Sequence, residues 1–314
     1  MELERRRLGR TEMVVSELSL GGVGIGGFYG PLSEEAAGGA VRQAIDLGIN
    51  YVDTSPLYKE SEARLGRIFG AMGGKPAGLY LSTKTGTHPQ RRGDYSAEGT
   101  RWSVENSLRL LGVPGVDLLL LHDPRSEADL EQALAPGGAV EELQRMKGEG
   151  KVGAIGLGCR SHAYHRRAIR SGQIDVILTY ADYNLVRQTA APLMAEAADA
   201  GVGVLLAQVV LSGLLTGVDP MADERLRGRP PADLQAAVDW REWAQQRGVS
   251  LQAVAIQFGL RHPHVGCVLV GGKTAQEVQE NVQAATAPLA AAIWDEVAER
   301  IRSGAGQAGP DPES

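Results

Sequence analysis

The feature that most limits what this chain can fold into is an alternation repeated along most of its length. Short apolar runs bounded by Gly, Pro and Asp fall at 14–20, 51–53, 79–83, 116–121, 152–156, 176–179, 202–207 and 265–270. Segments of helical period separate them, and strand ends recur roughly every 30 residues, the length of one strand-helix-strand step. Ser33 precedes two glutamates and Ser96 precedes Glu98, so each is placed to cap a helix start. Gly48, Gly112, Gly201 and Gly248 stand where helices should stop on a left-handed residue. Two further helical segments precede the last strand. Runs such as VDLLLL and VGVLLA are apolar on both faces, as strands buried between a core and a helical layer must be. Eight parallel strands without a composition break predict an α/β protein with a closed (β/α)8 barrel over residues 1–302. The remaining residues 303–314, SGAGQAGPDPES, hold almost nothing apolar and are expected to be disordered.

Composition narrows the class of partner. With 43% apolar residues in 314, the chain can bury a barrel core without covalent support. Cys159 and Cys267 follow no metal or redox spacing and are expected as free thiols of a cytoplasmic protein. The charged N-terminus lacks a secretory apolar run, and no stretch is long enough to span a bilayer. A net charge of −6 argues against a general nucleic-acid partner. The clusters Arg5, Arg6, Arg7 and Arg166, Arg167 are expected to be solvated surface. His162 and His165 have no Cys or acid nearby to complete a zinc site.

Gly22, Gly24 and Gly27 spell Gly-x-Gly-x-x-Gly after the first strand, and Asp53 ends the next. This is the fingerprint of a doubly wound dinucleotide fold, and it keeps Gly22 among the cofactor-contact candidates. The fingerprint needs its glycines to open the helix that holds the pyrophosphate, whereas here the helix signal begins only at Ser33. The chain also runs through eight units instead of six, so the barrel is preferred.

In such a barrel, chemistry gathers at the carboxyl ends of the strands. There the chain places Asp53, then Tyr58 in the following loop, Lys84, and His122. Taken singly, each has a structural reading: a cap, a half-buried loop tyrosine, a hydrogen-bonded core histidine. Together on three adjacent strand ends they suit carbonyl reduction or its reverse, which needs a proton at oxygen in the hydride-transfer transition state. Lys84 is expected to stabilise a Tyr58 phenolate, Asp53 to hold Lys84, and His122 to orient the substrate oxygen.

These residues and their surroundings resemble the aldo-keto reductase superfamily. The segments NYVDTSPLYKESEARLG, LSTKTG, DYSAEGTRWSVENSLRLLGVPGVDLLLLHDP, GKVGAIGLG and GGKTAQEVQENV follow the family's order up to about Val282. DYSAEGT and TYADYNL resemble the NAD(P)-dependent sugar and aldehyde dehydrogenase branch, such as L-galactose, L-fucose and D-threo-aldose 1-dehydrogenases. The resemblance implies that Asp53, Tyr58, Lys84 and His122 are catalytic, with Tyr58 as proton donor or acceptor. It implies NAD or NADP as cofactor and no metal. Gly272, Lys273 and Thr274 would then hold the adenosine phosphates or ribose, and Glu280 and Asn281 the adenine. Lys273 could pair with a 2′-phosphate while Glu277 would repel it, which tips the expectation to NAD. Where many members carry Ser-Asn and Gln at the nicotinamide, this chain has Gly158, Cys159 and Tyr180. Gln208 or Tyr180 stands ready to replace the lost amide contacts. The expected function is hydride transfer between NAD(P) and a small carbonyl or sugar, an aldose or aldehyde. The alternative is a cofactor-binding, redox-sensing regulatory subunit with little turnover.

Overall fold

In the computed structural model, which describes residues 2–226 and 228–308, the chain opens with an antiparallel hairpin of β1 (Arg5–Arg7) and β2 (Val14–Ser16). A closed barrel follows: β3 (Leu18–Gly21), β4 (Tyr51–Asp53), β5 (Tyr80–Thr85), β6 (Val116–His122), β7 (Val152–Gly158), β8 (Val176–Tyr180), β9 (Gly203–Ala207) and β10 (Cys267–Gly271). Every neighbouring pair is parallel, and β10 closes on β3. The expected eight-stranded barrel is therefore the fold.

The first expected strand divides in two. Val14–Ser16 belongs to the hairpin and Leu18–Gly21 to the barrel. Glu17 sits at the break, buried, with its carboxylate 2.9 Å from the Arg6 guanidinium. The expectation of a solvated Arg5, Arg6, Arg7 surface is corrected at its centre. Arg6 reaches the carbonyls of Leu260 and Val265 at 2.8 and 3.2 Å and pins the hairpin across the amino end of the barrel. Leu8, Met13 and Val15 plug that end from inside.

Strand alternation then decides which side chains enter the barrel. On β6, Leu118 and Leu120 point into the inner cluster and Leu119 and Leu121 into the layer under the helices. His122 therefore continues the inner row. The same parity brings Tyr51 and Asp53 on β4, Ser82 and Lys84 on β5, and Leu178 and Tyr180 on β8 to the inside. Helices Glu34–Asp46 and Ala97–Leu111 start on Ser33 and Ser96, whose hydroxyls accept from Ala36 N and Gly99 N, as expected. Gly48, Gly112, Gly201 and Gly248 all have positive φ.

The two extra helices, Pro231–Arg247 and Leu251–Leu260, build a second cluster around Trp240 and Trp243 with the last helix, Ala291–Ser303. Residues 303–308, placed in the expected disordered tail, fold back on this cluster. Trp240 Nε1 donates to the Gly306 carbonyl at 2.9 Å, and Gln307 Nε2 to that of Leu185 at 2.7 Å. The rest of the expected tail, 309–314, lies outside the described residues. Among those described, no helix is long and apolar enough to cross a membrane.

Candidate active site

At the carboxyl end of the barrel the inner row ends in a ring: Gly21, Asp53, Lys84, His122, Gly158, Tyr180, Ala207 and Gly271. Asp53, Lys84 and His122 form a continuous polar arc, flanked by Gly158 at one end and by Gly21 and Gly271 at the other. In this arc, Lys84 Nζ lies 2.6 Å from Asp53 Oδ2 and donates to the Thr54 carbonyl at 2.7 Å. Both side chains of this ion pair are almost wholly buried, at 1% and 4% exposure. Asp53 Oδ1 accepts from Ser82 Oγ at 2.7 Å, which in turn accepts from the Tyr51 hydroxyl at 2.7 Å. A buried pair is tolerable only when its remaining polar atoms are matched, and here they are.

Tyr58 sits in the loop after β4 with its ring centroid 4.7 Å from Lys84 Nζ. Its ring meets that of His122 edge-on, centroids 6.0 Å apart. The structure thus brings together the four residues singled out at strand ends.

One expectation about them is corrected. Lys84 was to draw the Tyr58 phenol down, but its ammonium is turned to Asp53. Burial, followed by the charges of Asp53 and Asp123, pushes the phenol well above its ordinary range. Among the described residues Tyr58 Oη makes no hydrogen bond, and the phenol is neutral in the free protein.

His122 is buried, and burial together with the positive charges of Lys84 and Arg92 holds its imidazole well below the usual range. Nδ1 faces the hydroxyls of Thr87 at 2.6 Å and Ser55 at 3.3 Å. The Thr87 and Ser55 hydroxyls can donate to Nδ1, so we assign the neutral ring's hydrogen to Nε2, which lies 3.4 Å from the Asp123 carboxylate. The Tyr95 hydroxyl donates to the His122 carbonyl and fixes the strand end. Ser55, Ser82, Thr87 and Asp123 had no distinct sequence signal. Their parts follow from inward parity and from loops meeting across the mouth.

The flanking glycines differ in kind. A Cβ added at Gly158 or Gly21 would find its nearest atom at 3.6 Å, and one at Gly271 would meet nothing. Neither sterics nor positive φ demands glycine at these positions, so the missing side chains leave room for a ligand at both ends of the polar arc, over β7 and over β10 and β3. Gln208 enters the mouth after β9 with φ 59 and has no side-chain partner among the described residues. Two candidates turn elsewhere. Cys159 is buried with its sulfur 3.6 Å from His165 Nε2, in the wall beneath the helices, where burial raises the thiol. Gly22 is pressed against the end of β4, where a Cβ would lie 2.7 Å from the Asp53 carbonyl. Gly22–Ile25 forms one helical turn, and Ser61 Oγ donates to the Gly22 carbonyl at 2.9 Å. Gly22 therefore serves close packing against the end of β4, while Gly24 lies against Gly272 and Lys273 after β10. Tyr180 is also engaged, donating to Asp123 Oδ1 at 3.0 Å.

After β10, Thr274 caps helix Ala275–Thr286 by accepting from Glu277 N at 3.1 Å. The Glu277 carboxylate folds back to accept from Lys273 N at 2.9 Å. Gly272 packs on Val278, whose Cγ2 would lie 2.8 Å from an added Cβ. The Asn281 amide donates to the Gly271 carbonyl and accepts from Gln252, so it braces this loop. Glu280 is exposed and accepts from Gln276 at 2.8 Å. The amides of the first helical turn, glycine room across the mouth and the free Gln208 amide together fit an extended dinucleotide with an anionic end. Among the described residues no group of His, Cys, Asp or Glu could hold a metal ion.

A profile of the aldo/keto reductase family matches residues 17–302. The chain is 33% identical over 290 residues to an L-galactose dehydrogenase of Arabidopsis thaliana, covering 91% of this chain and 89% of that one. It is 32% identical over 316 residues to a D-threo-aldose 1-dehydrogenase of a Pseudomonas species, covering 91% and 94%. A solved glycerol dehydrogenase from Gluconobacter oxydans shares the fold with a TM-score of 0.79 over 99% of both chains at 23% identity.

Proposed function

This chain belongs to the aldo/keto reductase family and is an NAD(P)-dependent oxidoreductase; from that premise we propose that it exchanges hydride between NAD and an aldose or related small aldehyde, with Tyr58 giving or taking the proton. The observation that carries this reading is the polar cluster of Asp53, Lys84, Tyr58 and His122 flanked by the open glycine positions Gly158, Gly21 and Gly271. Gly21, Gly158 and Gly271 together with Gly272, Lys273 and Thr274 would hold the dinucleotide, which would supply the hydride acceptor or donor.

The chain's own residues handle the proton. In reduction the neutral Tyr58 hydroxyl gives its proton to the carbonyl oxygen as charge develops there. The Nε2–H of His122 donates to the same oxygen and sets its direction, and a neutral imidazole does so without competing as an acid. The phenolate left behind keeps the Lys84 ammonium 4.7 Å from its ring centroid, close enough for that charge to be felt in a dry site. In oxidation the same groups run backwards, and phenolate accepts the hydroxyl proton. Titrating the purified protein with sugars and aldehydes in the presence of NADH, NADPH or their oxidised forms tests the reading. Absence of turnover with any of them refutes it.

Preference for NAD rests on Glu277. Its carboxylate already occupies the amide of Lys273 at the helix start, where a 2′-phosphate would have to enter. Nicotinamide fluorescence titration should give a Kd for NADH at least about tenfold below that for NADPH, roughly 1.4 kcal/mol. Glu277→Gln should narrow the gap by loosening the exclusion of phosphate. Tighter binding of NADPH by the natural protein would contradict the assignment.

The loop from Gly217 to Pro231 would fold over the cofactor pyrophosphate. Leu226 anchors it by burial, and Arg225, paired with Asp223, also feels the charge of Glu277 at the adenosine end. Saturating NADH should slow tryptic cleavage at Arg225 several-fold, followed by mass spectrometry. Equal rates with and without NADH would remove the loop from the cofactor site.

A further inference from the structure

Asp123 brings a carboxylate into the mouth without a part in moving the proton. Its side chain is 35% exposed, whereas those of Asp53 and Lys84 are at most 4%. The residue leaves β6 with φ 44, a left-handed conformation that Asp tolerates better than most residues but that still carries strain. That turn, fixed by Asp123 N donating to the Gly158 carbonyl at 2.8 Å, swings the carboxylate back over the strand end. One oxygen accepts from the Tyr180 hydroxyl at 3.0 Å. The other lies 3.4 Å from His122 Nε2, long for a hydrogen bond. The orientation of His122 does not depend on it, because Thr87 and Ser55 already hold Nδ1. A carboxylate offers about four acceptor positions, and the described residues use one of them well. The unused ones stand beside His122 Nε2, and the 35% exposure of the side chain leaves them within reach of a ligand.

We propose that Asp123 is a specificity-determining residue that accepts a hydrogen bond from the hydroxyl on the carbon next to the reacting carbon. The site then favours 2-hydroxy aldehydes and their cyclic hemiacetals over plain aldehydes. This rests on the hydride-transfer reading above. His122 holds the reacting oxygen, and the adjacent Asp123 reaches the neighbouring hydroxyl of the same substrate. A hydroxyl bonded to a carboxylate makes a charge-assisted hydrogen bond, stronger than a neutral one. A plain aldehyde leaves the recessed carboxylate short of a partner once water is displaced, and sites built around a hydroxyl discriminate strongly against its absence. Tyr180, whose hydroxyl has no other side-chain partner among the described residues, serves as the brace that keeps the carboxylate in place.

Lactaldehyde and propanal differ only in the 2-hydroxyl, so the ratio of their kcat/KM values isolates this contact. With NADH or NADPH, the natural protein should favour lactaldehyde by about 100-fold or more. Asp123→Asn, which keeps the shape and suits the left-handed backbone, should lower that ratio at least about tenfold, mainly through KM for lactaldehyde. Tyr180→Phe, which removes only the brace, should lower it by a smaller factor, and it serves as the test should the Asp123 variant fail to fold. Equal losses on both aldehydes would mean that Asp123 acts through His122 or the backbone, and would overturn the proposal. So would a natural protein indifferent to the hydroxyl, or a ratio unchanged in both variants. A protein that turns over neither aldehyde nor any sugar refutes the oxidoreductase reading itself, and this assignment with it.

Discussion

Replacing Tyr58 by Phe should lower kcat by about 10²–10⁴-fold while leaving the Kd for NADH within about twofold of the natural protein. The substitution keeps the ring, so it keeps the approach to Lys84 and the edge contact with His122, and removes only the proton that the reaction moves. A loss of this size is roughly 3–5 kcal/mol of transition-state stabilisation. No neighbour can make it good: His122 holds its remaining proton on a neutral ring, and Lys84 is turned to Asp53 and Thr54. The sign of the tyrosine shift adds a pH test. Burial keeps the phenol protonated well above its usual range, so reduction should show no alkaline loss from Tyr58 below about pH 10. Steady-state rates for Tyr58→Phe close to those of the natural protein would place the proton donor elsewhere.

How much of this site could be read from the chain follows from where each signal lies. Asp53, Lys84 and His122 were legible because each interrupts or ends an apolar strand where a core would not choose a charge. Alternation along VDLLLLH then carries His122 inward without further information. The direction of the Tyr58 shift was not legible, because it comes first from burial of a loop side chain and then from the charges of Asp53 and Asp123, which only the folded mouth brings together. Asp123 was invisible because its importance lies in a positive φ and in a partner, Tyr180, two strands away. Arg6 looked like surface because its partners, the carbonyls of Leu260 and Val265, stand more than 250 residues further on. The glycine fingerprint misled for the opposite reason. A local pattern written for a pyrophosphate also suits a loop packed tightly against β4, and only the 2.7 Å approach to the Asp53 carbonyl tells them apart.

The Asp53–Lys84 pair gives the second large effect, and a cycle of variants separates its two duties. Lys84→Met leaves the Asp53 carboxylate buried with Ser82 as its remaining side-chain donor. Breaking a buried pair in this way costs about 3–5 kcal/mol of folding stability. Asp53→Asn alone should cost a similar amount by stranding the Lys84 ammonium. The double variant removes both charges and fills much the same volume, so denaturant unfolding should show most of that loss recovered. Turnover should not recover with it. Without an ammonium facing the ring, a Tyr58 phenolate stands unsupported in a dry site, and both Lys84→Met and the double variant should lose at least about 10²-fold in kcat. If the single variants unfold at the natural protein's denaturant midpoint, the pair does not hold the charges that its 2.6 Å contact implies. If the double variant regains activity along with stability, Lys84 supports the fold and not the proton transfer.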